Sequence, residues 1–401
     1  MSVATIPSVK SDFPVANRIV GGSPLVYLDS AATSLKPQRV IDAIVHYYSH
    51  VGANIHRGKH MLSEMASVHF EKTRTKVARY IGCAAPEVIF VQNTTHAINM
   101  VAHGLPLHAD TDLVVIQGDS HHSAMLPWRQ HARVEHVRVT VSGTPDLDHY
   151  EELLRGHPRV VVLTHCSNIT GLYAPIAEMA RLAKHAGALV VVDGAQSIPH
   201  RPFRFRDSDV DFLAFSSHKM LGPTGVGVLC GRIELLRELE PMCHGGGMVD
   251  WVEYGSQRLR DLPHALEAGT PDIAAVYGLG AAIDYLDSLG ADFMTAHDRR
   301  LSALMRQHAA QRDGLTFIGG DGHADCSAIL SLSIAGSSMS AVATALSDSH
   351  GIMCRSGHMC CQPFVAARFG GEVLRASAYV YTSEDDVTRF FDALDEVRKY
   401  L

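Results

Sequence analysis

No apolar run in this 401-residue chain approaches the roughly 18 residues needed to span a bilayer as a helix, so a membrane role is not expected. A basic surplus is missing too. The 35 Lys and Arg residues stand against 42 Asp and Glu, a net charge of −7 without a long basic stretch, which argues against a nucleic-acid surface and for small-molecule or protein partners. Met1 to Lys10 carries neither the apolar stretch of a signal peptide nor the arginine-rich pattern of a transit peptide, so the expected location is cytoplasmic. The eight cysteines, at positions 83, 166, 230, 243, 326, 354, 360 and 361, form no regular framework and are read as reduced thiols. The 25 histidines come without a Cys-x-x-Cys pair, and His56-Arg57-Gly58-Lys59-His60 lacks the glutamate of a zinc-protease helix, so no metal is expected. Internal repeats, low-complexity tracts and linkers are absent as well.

What is present is an ordinary globular composition, 46% hydrophobic, in a chain longer than one core usually holds; a large and a small domain are expected. From about Ser67 to Gly227, apolar runs of strand length alternate with helical stretches, the pattern of a mainly parallel sheet covered by helices. The predicted strands are 88–91, 113–116, 160–163, 189–192, 212–215 and 226–229. Thr94, Thr95, His121, Asn168, Asp193 and Lys219 each fall just past one of them, and in such sheets ligands gather beyond the carboxyl ends of the strands. These residues are therefore expected to face one cleft. A helical pattern beginning at Ala274 leads toward a second, α+β region. It holds predicted helices over 297–312 and 339–349, a strand over 328–332, and a last helix capped by Ser383.

Lys219 ends the run Phe215-Ser216-Ser217-His218-Lys219, and Asp193 ends a buried-looking strand upstream of it. An aspartate after a parallel strand is common and lysines are everywhere, so neither alone is specific. Together they serve both ends of pyridoxal 5'-phosphate: lysine holds the aldehyde as a Schiff base, and the carboxylate keeps the pyridine nitrogen protonated. Gly222-Pro223-Thr224-Gly225-Val226-Gly227 follows as a tight turn that lets backbone approach closely. Downstream, Arg355-Ser356-Gly357-His358-Met359-Cys360-Cys361-Gln362-Pro363 brings a thiol.

With these blocks laid out, the chain resembles the group II cysteine desulfurases, a branch of the class V aminotransferase family that also contains selenocysteine lyases. The likeness runs nearly end to end, through Tyr27-Leu28-Asp29-Ser30-Ala31-Ala32, Ala53-Asn54-Ile55-His56-Arg57-Gly58, Thr94-Thr95, His121-His122, Ser167-Asn168, the lysine block, Glu267-Ala268-Gly269-Thr270-Pro271 and Arg375-Ala376-Ser377. It implies the α/β fold type I of pyridoxal-phosphate-dependent transferases. A large domain with a seven-stranded, mainly parallel sheet would cover residues 21–279, and a smaller α+β domain residues 1–20 and 280–401.

The resemblance also implies roles. Thr94, Thr95, Ser216 and His218 would cradle the cofactor phosphate, helped by the positive end of a helix starting at His96, although Thr and Ser are favoured helix caps in any case. Thr270 would reach the phosphate of the neighbouring subunit, which implies a homodimer with shared active sites. His121 would stack on the ring and exchange protons, and Gln196 would bond the phenolic oxygen. Asn168 and Arg375 would hold the substrate carboxylate, with His56 and Arg57 also at the substrate site. The implied reaction takes L-cysteine or a close analogue to alanine: Lys219 removes the Cα proton, and Cys360 receives the sulfur as a persulfide for a sulfur-acceptor protein. Selenocysteine, cysteine sulfinate or a specialised metabolite remain alternative substrates.

Some positions depart from the family. Cys361 stands where alanine is common, and it could receive sulfur, form a disulfide or do nothing. His96 replaces a glutamate, Ser120 an acid and Met359 a second histidine.

Overall fold

The computed structural model describes residues 6–319 and 325–400. Residues 1–5 of the N-terminal segment, and the parts of the expected small domain at 320–324 and 401, lie outside them. Seven strands form the large sheet: β1 (Val88–Val91), β2 (Leu113–Gln117), β3 (Arg133–Val137), β4 (Val160–Thr164), β5 (Leu189–Asp193), β6 (Phe212–Ser216) and β7 (Gly227–Gly231). Their spatial order is β1-β7-β6-β5-β4-β2-β3, and all pairings are parallel except those of β7, which runs antiparallel to both β1 and β6.

Six of these strands are the expected apolar runs, and nearly every residue in them is buried because helices cover both faces. The seventh, β3, completes the expected seven-stranded sheet but was not located in the sequence. It lies at the sheet edge and alternates exposed and less exposed positions along Arg-Val-Glu-His-Val, so it never reads as an apolar run.

The smaller sheet holds β8 (Leu315–Phe317), β9 (Ile329–Ile334), β10 (Arg355–Gly357) and β11 (Val373–Ser377) in the order β8-β9-β11-β10. It packs on the helices Ala291–Ala310, Met339–His350 and Glu384–Val397 to make a separate apolar core. Ser383 caps the last of these helices, accepting a bond from Asp386 N–H at 3.1 Å.

The two apolar cores do not follow the expected boundaries residue by residue. Val9, Phe13 and Ala16, placed with the small domain, pack in the large core, as do Tyr285, Leu286 and Met294. The helix Ile273–Leu289 does not leave the large domain, since it lies along Gln38–His46 and Met61–Ile81. Conversely Val26 and Leu28, placed in the large domain, belong to the small core because Val26–Tyr27 pairs in parallel with Ile352–Met353. The chain thus crosses between the two cores near its N-terminus, and this crossing delivers Asp29 beside β11.

Candidate active site

The carboxyl ends of β1, β2, β4, β5 and β6 open on a cavity of about 360 Å³. Thr94, Thr95, His121, Asn168, Asp193, Gln196, Ser216, His218 and Lys219 line it from the large domain, and Cys360 and Arg375 close it from the small one.

At one end, Asn93 begins the helix Thr94–Gly104 by accepting a bond from His96 N–H at 2.9 Å. The helix therefore starts at Thr94, two residues earlier than expected, and its first residues, Thr94 and Thr95, line the cavity. The Thr94 hydroxyl lies 2.6 Å from that of Ser216, and the Thr95 hydroxyl 2.7 Å from Ser123, so four hydroxyls gather at a helix start. Gly227 makes the geometry possible: a Cβ there would stand 2.7 Å from Asn93 Cα and 2.9 Å from the Phe215 carbonyl oxygen.

At the other end lie Asp193, which is buried, and Lys219, which is partly buried. Burial pulls the lysine amine down to about 8, although the Asp193 charge opposes the shift. Burial raises the Asp193 carboxyl, while the Ala195 N–H at 2.9 Å and Lys219 counteract it. A buried carboxylate beside an amine poised near neutrality suits a cofactor with a cationic ring nitrogen and an electrophilic carbonyl. Burial lowers His121 to about 4, with Lys219 adding to the effect, so its imidazole is neutral at pH 7; its Nδ1 accepts the Ser123 N–H at 3.1 Å. His218 is pushed to about 4 for the same reasons, and its carbonyl accepts bonds from Ser34 N–H at 2.9 Å and Thr33 Oγ1 at 3.0 Å.

Between the two ends, Gln196 donates from Nε2 to the Ala31 carbonyl at 2.8 Å. Asn168 donates from Nδ2 to the Met359 carbonyl at 2.8 Å, while its Oδ1 is buried with no partner among the described residues. Arg375 donates from Nη1 to the Asn168 carbonyl at 3.1 Å, and its Nε is likewise buried and unpartnered. Unpaired buried polar groups of this kind are costly unless a ligand completes them. Arg375 Nε, a donor, fits an amino-acid carboxylate, and Asn168 Oδ1, an acceptor, fits a donor group of the ligand; the hydroxyl cradle and the lysine–carboxylate pair fit pyridoxal 5'-phosphate.

The thiol loop is tied down at several points. Met359 and Cys360 both have left-handed backbones, φ 50° and 54°, and the Cys360 carbonyl accepts the His122 N–H at 2.7 Å. Cys360 is exposed at the cavity mouth. Cys361 is fully buried, its Sγ donating to the Asp119 carbonyl at 3.2 Å, and burial pushes its thiol well up. Met359 sits in a small apolar cluster with Cys361 and Phe364; Ser120 bonds Thr164 at 2.9 Å. Among the described residues, no cysteine is in a disulfide.

Three expected site residues are not in this cavity. His56, Arg57 and Thr270 line a separate cavity of about 220 Å³, so within one chain none touches the Lys219 site. His56 bonds Glu71 at 3.0 Å, Arg57 donates to the Val249 carbonyl at 2.6 Å, and Thr270 accepts from Asn54 at 3.3 Å. Ligand atoms of His56, Glu71 and His264 lie within 4.8 Å of one another. The Arg74 guanidinium, bonded to Glu71 at 2.8 Å and to Glu267 at 2.6 Å, already satisfies the carboxylates a cation would need.

The sequence reading also missed residues that the fold brings in. Asp29 and Arg355 stood inside quoted motifs without a role; Arg355 lines the cavity and is bonded to Asp29 at 2.9 Å. Cys166, Ser123 and Met359 line it as well. Arg355 opens the cysteine motif, which was a usable signal; the others carry none in isolation.

The fold and this site define a fold type I enzyme dependent on pyridoxal phosphate. The family profile described as Aminotransferase class-V matches residues 26–390, and the chain belongs to that family. It is 37% identical to a cysteine desulfurase of Haloferax volcanii over 98% of this chain and 97% of that protein. Among solved structures it is similar to the apo cysteine desulfurase of Thermococcus onnurineus NA1, with a TM-score of 0.93 at 33% identity and full coverage of both chains. It is also similar to the cysteine desulfurase CsdA of Escherichia coli, with a TM-score of 0.89 at 33% identity and full coverage of both chains.

Proposed function

We propose that this chain is a pyridoxal-phosphate-dependent cysteine desulfurase, converting L-cysteine to L-alanine and retaining the sulfur on Cys360. The carrying observation is that Lys219, Asp193, Arg375 and Cys360, drawn from two domains, line one cavity. When bound, pyridoxal phosphate supplies an electron sink for charge that develops at the substrate Cα.

This chain's residues supply the rest. The hydroxyls of Thr94, Thr95 and Ser216, with His218 and the helix N-terminus, would hold the phosphate, Asp193 would keep the ring nitrogen protonated, and Gln196 would bond the phenolic oxygen. Arg375 Nε and Asn168 Oδ1, open and buried, orient the amino acid by its polar groups. Lys219, with its amine near neutrality, accepts the Cα proton, and neutral His121 is placed to pass protons. Cys360, as thiolate, forms a bond to the substrate sulfur as the Cβ–S bond breaks. The carbon fragment takes up protons and leaves as alanine, so one persulfide forms per alanine. Cys361, buried and with its thiol pushed up, has no part in this transfer.

The active unit in this reading is a homodimer. Val45, Tyr48, Met61, Met65 and Val68 make an exposed apolar face on Gln38–Val51 and Met61–Ile81, with 61, 65 and 68 on one side of their helix. Pairing across it would carry Thr270, His56 and Arg57 to the partner's site, giving a role to three residues that a single chain leaves outside. An acceptor protein would collect the sulfur from exposed Cys360. The reaction needs a free thiol, which suits a reducing cytoplasm. Among the described residues, no helix is long and apolar enough to cross a membrane. The test is a comparison of specificity constants for L-cysteine, L-selenocysteine and L-cysteine sulfinate; cysteine should give persulfide and alanine in equal amounts, and failure to turn it over would refute the assignment.

A further inference from the structure

The strand that leads to Cys360 and the strand that bears the carboxylate-binding arginine are neighbours, and their register sets Arg355 of β10 directly opposite Arg375 of β11. Like charges facing each other across an antiparallel pair destabilise it. Asp29 resolves the conflict. It arrives from the N-terminal crossing, held beside β11 by a bridge to Ser377, by Ser30 N–H to the Ser377 carbonyl at 3.2 Å and by Ser377 N–H to the Leu28 carbonyl at 2.7 Å. Its Oδ1 accepts from Arg375 Nη2 at 3.2 Å, and its two oxygens accept from Arg355 Nε at 3.1 Å each, with Oδ2 also 2.9 Å from Arg355 Nη2. Arg375 is buried and Arg355 half exposed, so the carboxylate joins a cation in the site to one at its rim.

We propose that Asp29 is a positioning residue: one carboxylate holds two cross-strand guanidiniums, and thereby fixes both the substrate's carboxylate anchor and the strand that presents the nucleophile. The placement leaves Arg375 with Nη1 on the Asn168 carbonyl, Nη2 on Asp29 and only Nε uncommitted. A guanidinium anchored at both Nη atoms presents its unpartnered Nε–H in one orientation, which lowers the entropy lost when a carboxylate docks. In the cysteine loop, β10 ends three residues before Cys360, so a splayed β10 would shift the thiol as well. The catalytic part of this inference rests on the desulfurase reading above; the charge coupling does not.

The test is a double-variant cycle on Asp29→Asn and Arg355→Gln, read in two ways. With the cofactor bound, Asp29→Asn should raise KM for L-cysteine about tenfold or more, the size expected for loss of a charge-assisted hydrogen bond, while the visible absorbance of the lysine-bound cofactor is kept. In cofactor-free protein, Asp29→Asn should lower the melting temperature, and adding Arg355→Gln should recover much of that loss because one of the two facing charges is gone. Should Asp29→Asn not fold, recovery of folded protein in the double variant supports the coupling and its absence counts against it. A KM within twofold of the parent, or melting temperatures that simply add, would overturn the proposal. A parent enzyme that makes no alanine would instead refute the desulfurase reading, and the melting-temperature cycle would still report on Asp29.

Discussion

At the scale of single residues, the site separates groups that look alike in the sequence. Cys360 and Cys361 are adjacent, yet one is exposed at the cavity mouth and the other is fully buried and bonded to the Asp119 carbonyl. Cys360→Ala should therefore reduce alanine formation from cysteine by about a hundredfold or more, the range for losing a group that takes part directly in the chemistry, while Cys361→Ala should stay within about threefold. Alanine measured by chromatography decides it, and equal losses would contradict the choice of nucleophile. Lys219, Asp193, His121 and Cys360 were legible in the sequence because each sits at a fixed place after a strand or in a distinctive block. Asp29 was not, because its importance comes from the cross-strand register of Arg355 and Arg375 and from a chain crossing that brings distant segments together. The resemblance already directed Thr270 to a neighbouring subunit, but the sequence could not say that a single chain would also keep His56 and Arg57 apart from Lys219.

At the scale of elements, the phosphate end depends on how closely the helix start at Asn93 approaches β7. Gly227→Ala would place a methyl 2.7 Å from Asn93 Cα, backbone that cannot swing away as a side chain would. We expect a stability loss of about 1–3 kcal/mol, as for overpacking elsewhere, and weaker retention of pyridoxal phosphate. Urea unfolding and dialysis against cofactor-free buffer check both. The buried strands were recognisable because their apolar runs are continuous, whereas β3 hides its register in Arg133, Glu135 and His136. The helix start was misplaced by two residues although Asn93 is a good cap, because the threonines that follow it cap well too.

At the scale of the molecule, pH and assembly are the measurable consequences. His121, His165 and His218 are all held near 4 by burial, against an ordinary 6.5. The unfolded chain therefore binds more protons than the folded one between those values. The histidine contribution to the stability of cofactor-free protein should be constant between about pH 6.5 and 7.5 and fall as pH drops toward 4, by on the order of several kcal/mol in all, while Lys219, lowered to about 8, changes stability only at higher pH. Glu71, pulled down to about 2, has its own window below that of the histidines. Urea midpoints from pH 7.5 to 4.5 test this, and His165→Gln, which lies outside the catalytic groups, should flatten the slope. If the active unit is the proposed homodimer, replacing Met65 and Val68 together by glutamate should give monomers in sedimentation and reduce turnover about tenfold or more, by removing Thr270 from the partner's site. Neither the apolar face nor the exchange of N-terminal segments between cores was visible in the sequence, because both depend on which helices end up side by side.

The most direct test of the central claim is intact-protein mass spectrometry after anaerobic incubation of the cofactor-loaded protein with L-cysteine, with alanine quantified in the same sample. The account predicts one added sulfur, mapped by peptide analysis to Cys360, for each alanine released in the first turnover. Alanine without sulfur on Cys360, or an unchanged mass with no alanine, would contradict it.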